Sequence, residues 1–218
     1  MEKNDFNKED LENNVKELMS LSDSNALIHD SFNSIRLNRK NMVSTFIIMG
    51  IALVLSFIGC FKADTVQWIS SAVEIILEIQ LAIFGSIIAV YSILIAFFDK
   101  KFIVKLATIK SKENKKTKLI EYIKYFENVL CLSFIGIIIS AVLFLFFKLV
   151  PDNWMISSYK TINEVIACIF SCMYLYFNLR VIYELKSLIF NTIVLMRTSI
   201  VYRAIDIFNS SKEDDNES

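Results

Sequence analysis

The stretch EIILEIQLAIFGSIIAVYSILIAFFD, residues 74–99, decides how this chain is read. Between Glu78 and Asp99 it carries no charge, and at about 1.5 Å per residue that segment is about 30 Å long, the apolar thickness of a bilayer. Starting at Glu78, the residues Ala82, Gly85, Ala89, Ser92, Ala96 and Asp99 follow at alternating spacings of four and three. On a helix that spacing gathers them into one seam, and nearly every member is small. Small seams let helix backbones approach closely in lipid, where hydrophobicity no longer drives association. The stretch therefore predicts a transmembrane helix buried against protein along its small face, with Glu74 and Glu78 at its outer end.

The whole chain agrees. Hydrophobic residues make up 55% of it, with four Gly and one Pro, which fits neither a soluble domain nor a disordered one. Its formal net charge is zero, so overall charge gives no argument for a nucleic-acid partner. Four uncharged runs stand out, residues 41–61, 79–98, 128–147 and 165–179. The first three are long enough to span. The fourth is short, but Asn163 and Glu164 fit the outer headgroups while Arg180 snorkels toward the inner ones. The first 40 residues are polar, so the first span is expected to act as an uncleaved signal anchor.

Orientation follows from Lys and Arg. Arg36, Arg39 and Lys40 precede the first span, nine lysines fall within residues 100–124, and Arg180, Lys186, Arg197, Arg203 and Lys212 follow the last. The other two loops hold only Lys62, Lys148 and Lys160, together with both tryptophans, Trp68 and Trp154. Both termini are thus expected in the cytoplasm, and the membrane is expected to be the cell (inner) membrane.

The expected fold is an all-α integral membrane protein with four transmembrane helices and helical cytoplasmic extensions. Residues 1–40 read as cytoplasmic N-terminal helices, with apolar stripes at Leu11, Val15 and Leu18 and then at Ile28, Phe32 and Ile35. Residues 41–109 form a first two-span unit, 110–126 a cytoplasmic hairpin tip and lead-in helix, and 127–183 a second two-span unit. Residues 184–208 make an amphipathic cytoplasmic helix, packed on the hairpin or lying on the inner leaflet, and 209–218 a disordered acidic tail. Sliding the chain by 86 residues sets Gly50 on Gly136, Phe61-Lys62 on Phe147-Lys148, Trp68 on Trp154, Glu78 on Glu164 and Phe84 on Phe170. Two parallel repeats, each a span, an outer loop with Trp and a returning span, are therefore expected, against the alternative of shared membrane bias.

Candidate functional residues are few. A carboxylate near an apolar zone is costly and so points to function. In an oligomer Glu74 and Glu78 would form an acidic mouth above a pore lined by Ala82, Gly85, Ala89 and Ser92. The plainer alternative has them in the headgroups, where negative charge suits a helix start, and has the seam serve helix packing. Glu164, Cys168, Ser171 and Asn178 are the second-repeat counterparts. Arg180 and Glu184, one turn apart, are a candidate inner gate, with interfacial snorkelling as the alternative. Cys60, Cys131, Cys168 and Cys172 all fall within spans and read as small packing residues. The single histidine, His29, lies far from them, so no metal and no cofactor is expected.

The chain has no Gly-rich phosphate loop, no HExxH and no nucleophile elbow. An enzyme is not expected. The leading expectation is a multipass protein that self-associates and forms or gates a pore, or perturbs the membrane, in response to a soluble cytoplasmic partner. Asn, Lys and Ile usage fits an AT-rich bacterium, and shape alone suggests a stress or phage-defence effector. The alternative is a non-conducting anchor or receptor that docks a soluble partner. A transporter is weaker, since no helix is interrupted at mid-depth by Gly or Pro. Expected partners are the lipid bilayer and other copies of the chain.

Overall fold

Few residues in this chain can stop a helix. The computed structural model describes residues 24–35, 42–62, 64–97, 102–104, 106, 117–151 and 154–217, and these are nearly all α-helical. The elements are α1 (Ser24–Ile35), α2 (Met42–Lys62), α3 (Thr65–Phe97), α4 (Lys118–Leu149) and α5 (Lys160–Glu217). The stripe at Leu11, Val15 and Leu18, Asp99 and most of the hairpin tip lie outside the described residues.

Helix ends follow local chemistry. Thr117 precedes α4 in an extended conformation and its carbonyl accepts from Glu121 N at 3.1 Å. Glu121 in the first turn and Lys148 in the last both suit the helix dipole. Pro151 follows the extended Val150 and prevents continuation. After Lys160 there is neither Gly nor Pro, and α5 runs for 58 residues, about 87 Å. It continues past Phe208 to Glu217, where the sequence predicts a disordered tail, because nothing there breaks it.

Four helices, α2 to α5, are long and apolar enough to cross a bilayer. Most of each apolar window stays uncovered by the rest of the chain. Exposed apolar surface on this scale marks contact with lipid or protein rather than water. The pairing is specific: α3 lies chiefly along α4 and α5 chiefly along α2, while α3 also touches α5 and α1 rests on α4. In α1, Ser31 is fully buried and its Oγ meets Asn128 Oδ1 at 3.1 Å, while Phe32 stacks on Phe177.

The interior has two apolar cores. Toward the two short connections, Ala52 from α2, Ile69, Val73 and Ile76 from α3, and Tyr174 and Leu175 from α5 pack together. Toward the termini, Ile87 and Leu94 from α3 meet Phe102, Leu106, Leu119, Phe126, Val129, Leu188 and Leu195. Leu188 and Leu195 of α5 thus pack with Phe102, Leu106 and Leu119.

Candidate functional site

Between the two cores lies a layer of buried polar groups, and it begins with Gln80. On α3 the residues Val73, Ile76, Gln80, Ile87 and Leu94 share one inward stripe, all of them buried. Gln80 Nε2 donates to Asn178 Oδ1 at 3.0 Å, and Asn178 Nδ2 donates to Tyr174 O at 2.9 Å. The Tyr174 and Ser140 hydroxyls meet at 2.8 Å. Gly136 on α4 makes this layer fit. A Cβ there would stand 3.3 Å from the Gln80 amide and 3.5 Å from Asn178 Oδ1. Ser133 and Ser171 are also buried; Ser171 meets the Cys60 thiol, whereas the Ser133 hydroxyl, like Gln80 Oε1, has no partner among the described residues. Such atoms in a dry interior are costly, so each is a place for water or a ligand atom.

A second buried group lies farther along α5. Arg180 is 1% exposed, and its Nη2 reaches Glu184 Oε1 at 2.8 Å. The Tyr125 hydroxyl donates to the Glu184 carbonyl at 3.0 Å and reaches its carboxylate at 3.3 Å. Snorkelling toward headgroups is thus not what Arg180 does: it turns inward because a carboxylate one turn away meets it there. Its Nε and Nη1 have no acceptor among the described residues.

The small seam is elsewhere. Glu74, Glu78, Ala82, Gly85, Ala89, Ser92 and Ala96 are all exposed, and a Cβ on Gly85 would meet nothing within 4 Å. From Glu78 to Ala96 the seam is open among the described residues. Within one copy, the face expected to lie buried against protein is left open among the described residues, and the close approach occurs at Gly136, on α4. The stripe of α3 that turns inward is instead bulky, since large side chains fill the space between α4 and α5.

Nor is the acidic pair at the head of a helix. α3 starts at Thr65, three residues after α2 ends at Lys62, so Glu74 and Glu78 stand well inside it. The Trp68 indole packs where a Cβ on Gly59 would be, which fixes the level of α3 against α2. Glu78 is ten residues further along, about 15 Å, opposite the middle of the roughly 31 Å α2. From the other end, Ser44 meets Tyr183 and Gln80 meets Asn178, which puts Glu78 about 10 Å from the Ser44 level. Glu74 pairs with Lys148 at 3.6 Å, whereas Glu78 has no ion-pair partner among the described residues.

The second-repeat residues behave differently from their counterparts. Glu164, with its side chain 18% exposed, pairs with Lys160 at 3.7 Å. Cys168 is half-buried, and Ser171 and Asn178 are buried. Neither Gln80 nor the packing role of Gly136 stood out from the sequence. The available signal was that Gln80 is the one amide in residues 79–98.

The described part of the chain is nearly all helical, with four helices long and apolar enough to cross a membrane, a polar layer inside and a small, acidic face outside. No protein family, no curated protein and no solved structure matches the chain.

Proposed function

We propose that this chain is a multipass protein of the cell (inner) membrane whose copies associate through the open face of α3. The assembly forms or gates a pore in response to a soluble cytoplasmic partner. One observation carries this reading: Glu78 is exposed opposite the middle of α2, on the face formed by Ala82, Gly85 and Ala89. A carboxylate facing lipid near mid-depth costs about 2.5–3.5 kcal/mol on insertion scales. Meeting the same face of another copy around a hydrated path relieves that cost, and small side chains let the backbones close in. Lys and Arg content favours cytoplasmic termini, since the short connections carry only Lys62, Lys148 and Lys160. The pairing of α3 with α4 and of α5 with α2 is what two parallel repeats around a two-fold axis would give. By shape and residue usage the class is a bacterial stress or phage-defence effector.

Proteoliposome flux tests the pore. We expect cation leak from the wild-type chain and at least a tenfold loss in Glu78→Gln. Equal leak in both, or none from either in the presence of the activating partner, contradicts the pore.

A distinct feature favours the second reading, a non-conducting anchor. On distal α5, Ile193, Ile200, Ile207 and Phe208 are exposed, with the three isoleucines at seven-residue spacing. Such a stripe suits a docked helix. If Ile200→Asp abolishes partner recruitment while α3-face substitutions leave function intact, the anchor reading replaces the pore.

A further inference from the structure

We propose that the cavity beside the two short connections is a binding site for a phospholipid with a primary-amine headgroup. This rests on the membrane reading above, but not on self-association or a pore. The cavity has a volume of about 580 Å³, within the range of ligand-binding clefts. Its walls are apolar: Ile69 from α3, Leu143 and Phe147 from α4, and Phe170 from α5. These give an acyl chain a continuous surface to lie on.

The rim decides the headgroup. Two of its polar residues are already committed. The Thr65 hydroxyl donates to the Cys60 carbonyl at 3.1 Å. The Asn163 amide accepts from Ile156 N and Ser157 N and donates to the Ser157 carbonyl, which ties down the connection before α5. What remains for a ligand is Asp64, Glu164 and Lys160. Asp64 has no ion-pair partner among the described residues, and the Lys160–Glu164 pair is loose at 3.7 Å with the lysine side chain 85% exposed.

Two carboxylates against one ammonium leave the rim net negative. A phosphoethanolamine head matches both signs: its ammonium donates charge-assisted hydrogen bonds to Asp64 and Glu164, and its phosphate meets Lys160. A phosphoglycerol head brings only negative charge to the same rim. A phosphocholine head carries positive charge but no N–H to donate.

Trp154 lines the cavity and is a built-in reporter. The full chain is reconstituted in phosphatidylcholine vesicles containing phosphatidylethanolamine or phosphatidylglycerol with brominated acyl chains. Quenching specific to this site is the difference between wild type and Trp154→Phe. We expect half-maximal quenching at an at least threefold lower fraction of phosphatidylethanolamine than of phosphatidylglycerol. Asp64→Asn with Glu164→Gln should erase that preference while quenching by both lipids persists. Ala167→Phe, which fills the cavity and leaves the charges alone, should reduce quenching by both. Equal quenching of the wild type by the two lipids, or an unchanged preference in the charge variant, overturns the site. A chain released from membranes by an alkaline wash contradicts the membrane reading itself; a retained chain whose Trp154 does not discriminate contradicts only the lipid site.

Discussion

The two faces of α3 carry the same spacing and opposite fates. One stripe, through Val73, Ile76, Gln80, Ile87 and Leu94, is buried by α4 and α5. The other, through Glu78, Ala82, Gly85, Ala89, Ser92 and Ala96, is exposed, and a Cβ on Gly85 would meet nothing within 4 Å. The inward stripe is large, and its one amide, Gln80, donates to Asn178. The outward stripe is small, and its carboxylate at Glu78 is left without an ion-pair partner among the described residues. In a soluble bundle the apolar stripe would fold inward and the polar one would meet water. Here both are mostly apolar, so side-chain volume, matched to Gly136 on α4, decides which one closes the bundle.

The largest expected effect separates a buried charge from an exposed one. Arg180→Met leaves the half-buried Glu184 without its partner and should cost about 3 kcal/mol in thermal or denaturant unfolding in detergent. The pair Arg180→Met with Glu184→Leu should recover most of that loss. Glu78→Leu on the open face should leave the solubilised monomer as stable as wild type or more so. A destabilisation by Glu78→Leu comparable to that of Arg180→Met would erase the distinction between the two sides.

A middle-sized effect compares two glycines. Gly136→Leu drives atoms into Gln80 and Asn178 and should destabilise by about 1–3 kcal/mol. Gly85→Leu meets open space and should change monomer stability by no more than about 0.5 kcal/mol. Melting curves that rank the two the other way would mean that the seam, and not Gly136, sits inside.

The smallest effect sharpens the polar layer. Gln80→Leu and Asn178→Leu should each cost about 1 kcal/mol, and a double-mutant cycle should return a coupling near 0.6 kcal/mol. A coupling of zero would mean that the two amides do not share the bond seen at 3.0 Å.

Much of the fold was legible in the sequence. The described residues of the four uncharged runs lie within the helices found, and the scarcity of Gly and Pro explains why those helices run long. The pairing of Arg180 with Glu184 followed from their separation by one turn. Its burial did not, because it depends on what packs over that face of α5. The seam on α3 was legible as a seam, but not its direction, since two stripes at the same spacing cannot be ranked without knowing what α4 and α5 present to them. Glu78 was expected at a helix head because its uncharged run starts beside it. The helix itself begins at Thr65, and only the contact between Trp68 and Gly59 sets its level. The layer around Gln80 needed three helices to become visible.

The most direct measurement is cysteine crosslinking along the open face of α3 in native membranes. In a background with Cys60, Cys131, Cys168 and Cys172 replaced by serine, Ala82→Cys and Ala89→Cys should each form disulfide-linked dimers on mild oxidation. Val73→Cys, on the inward stripe, should not. Monomers alone at both seam positions, with those thiols instead accessible to a lipid-soluble maleimide, would contradict the account.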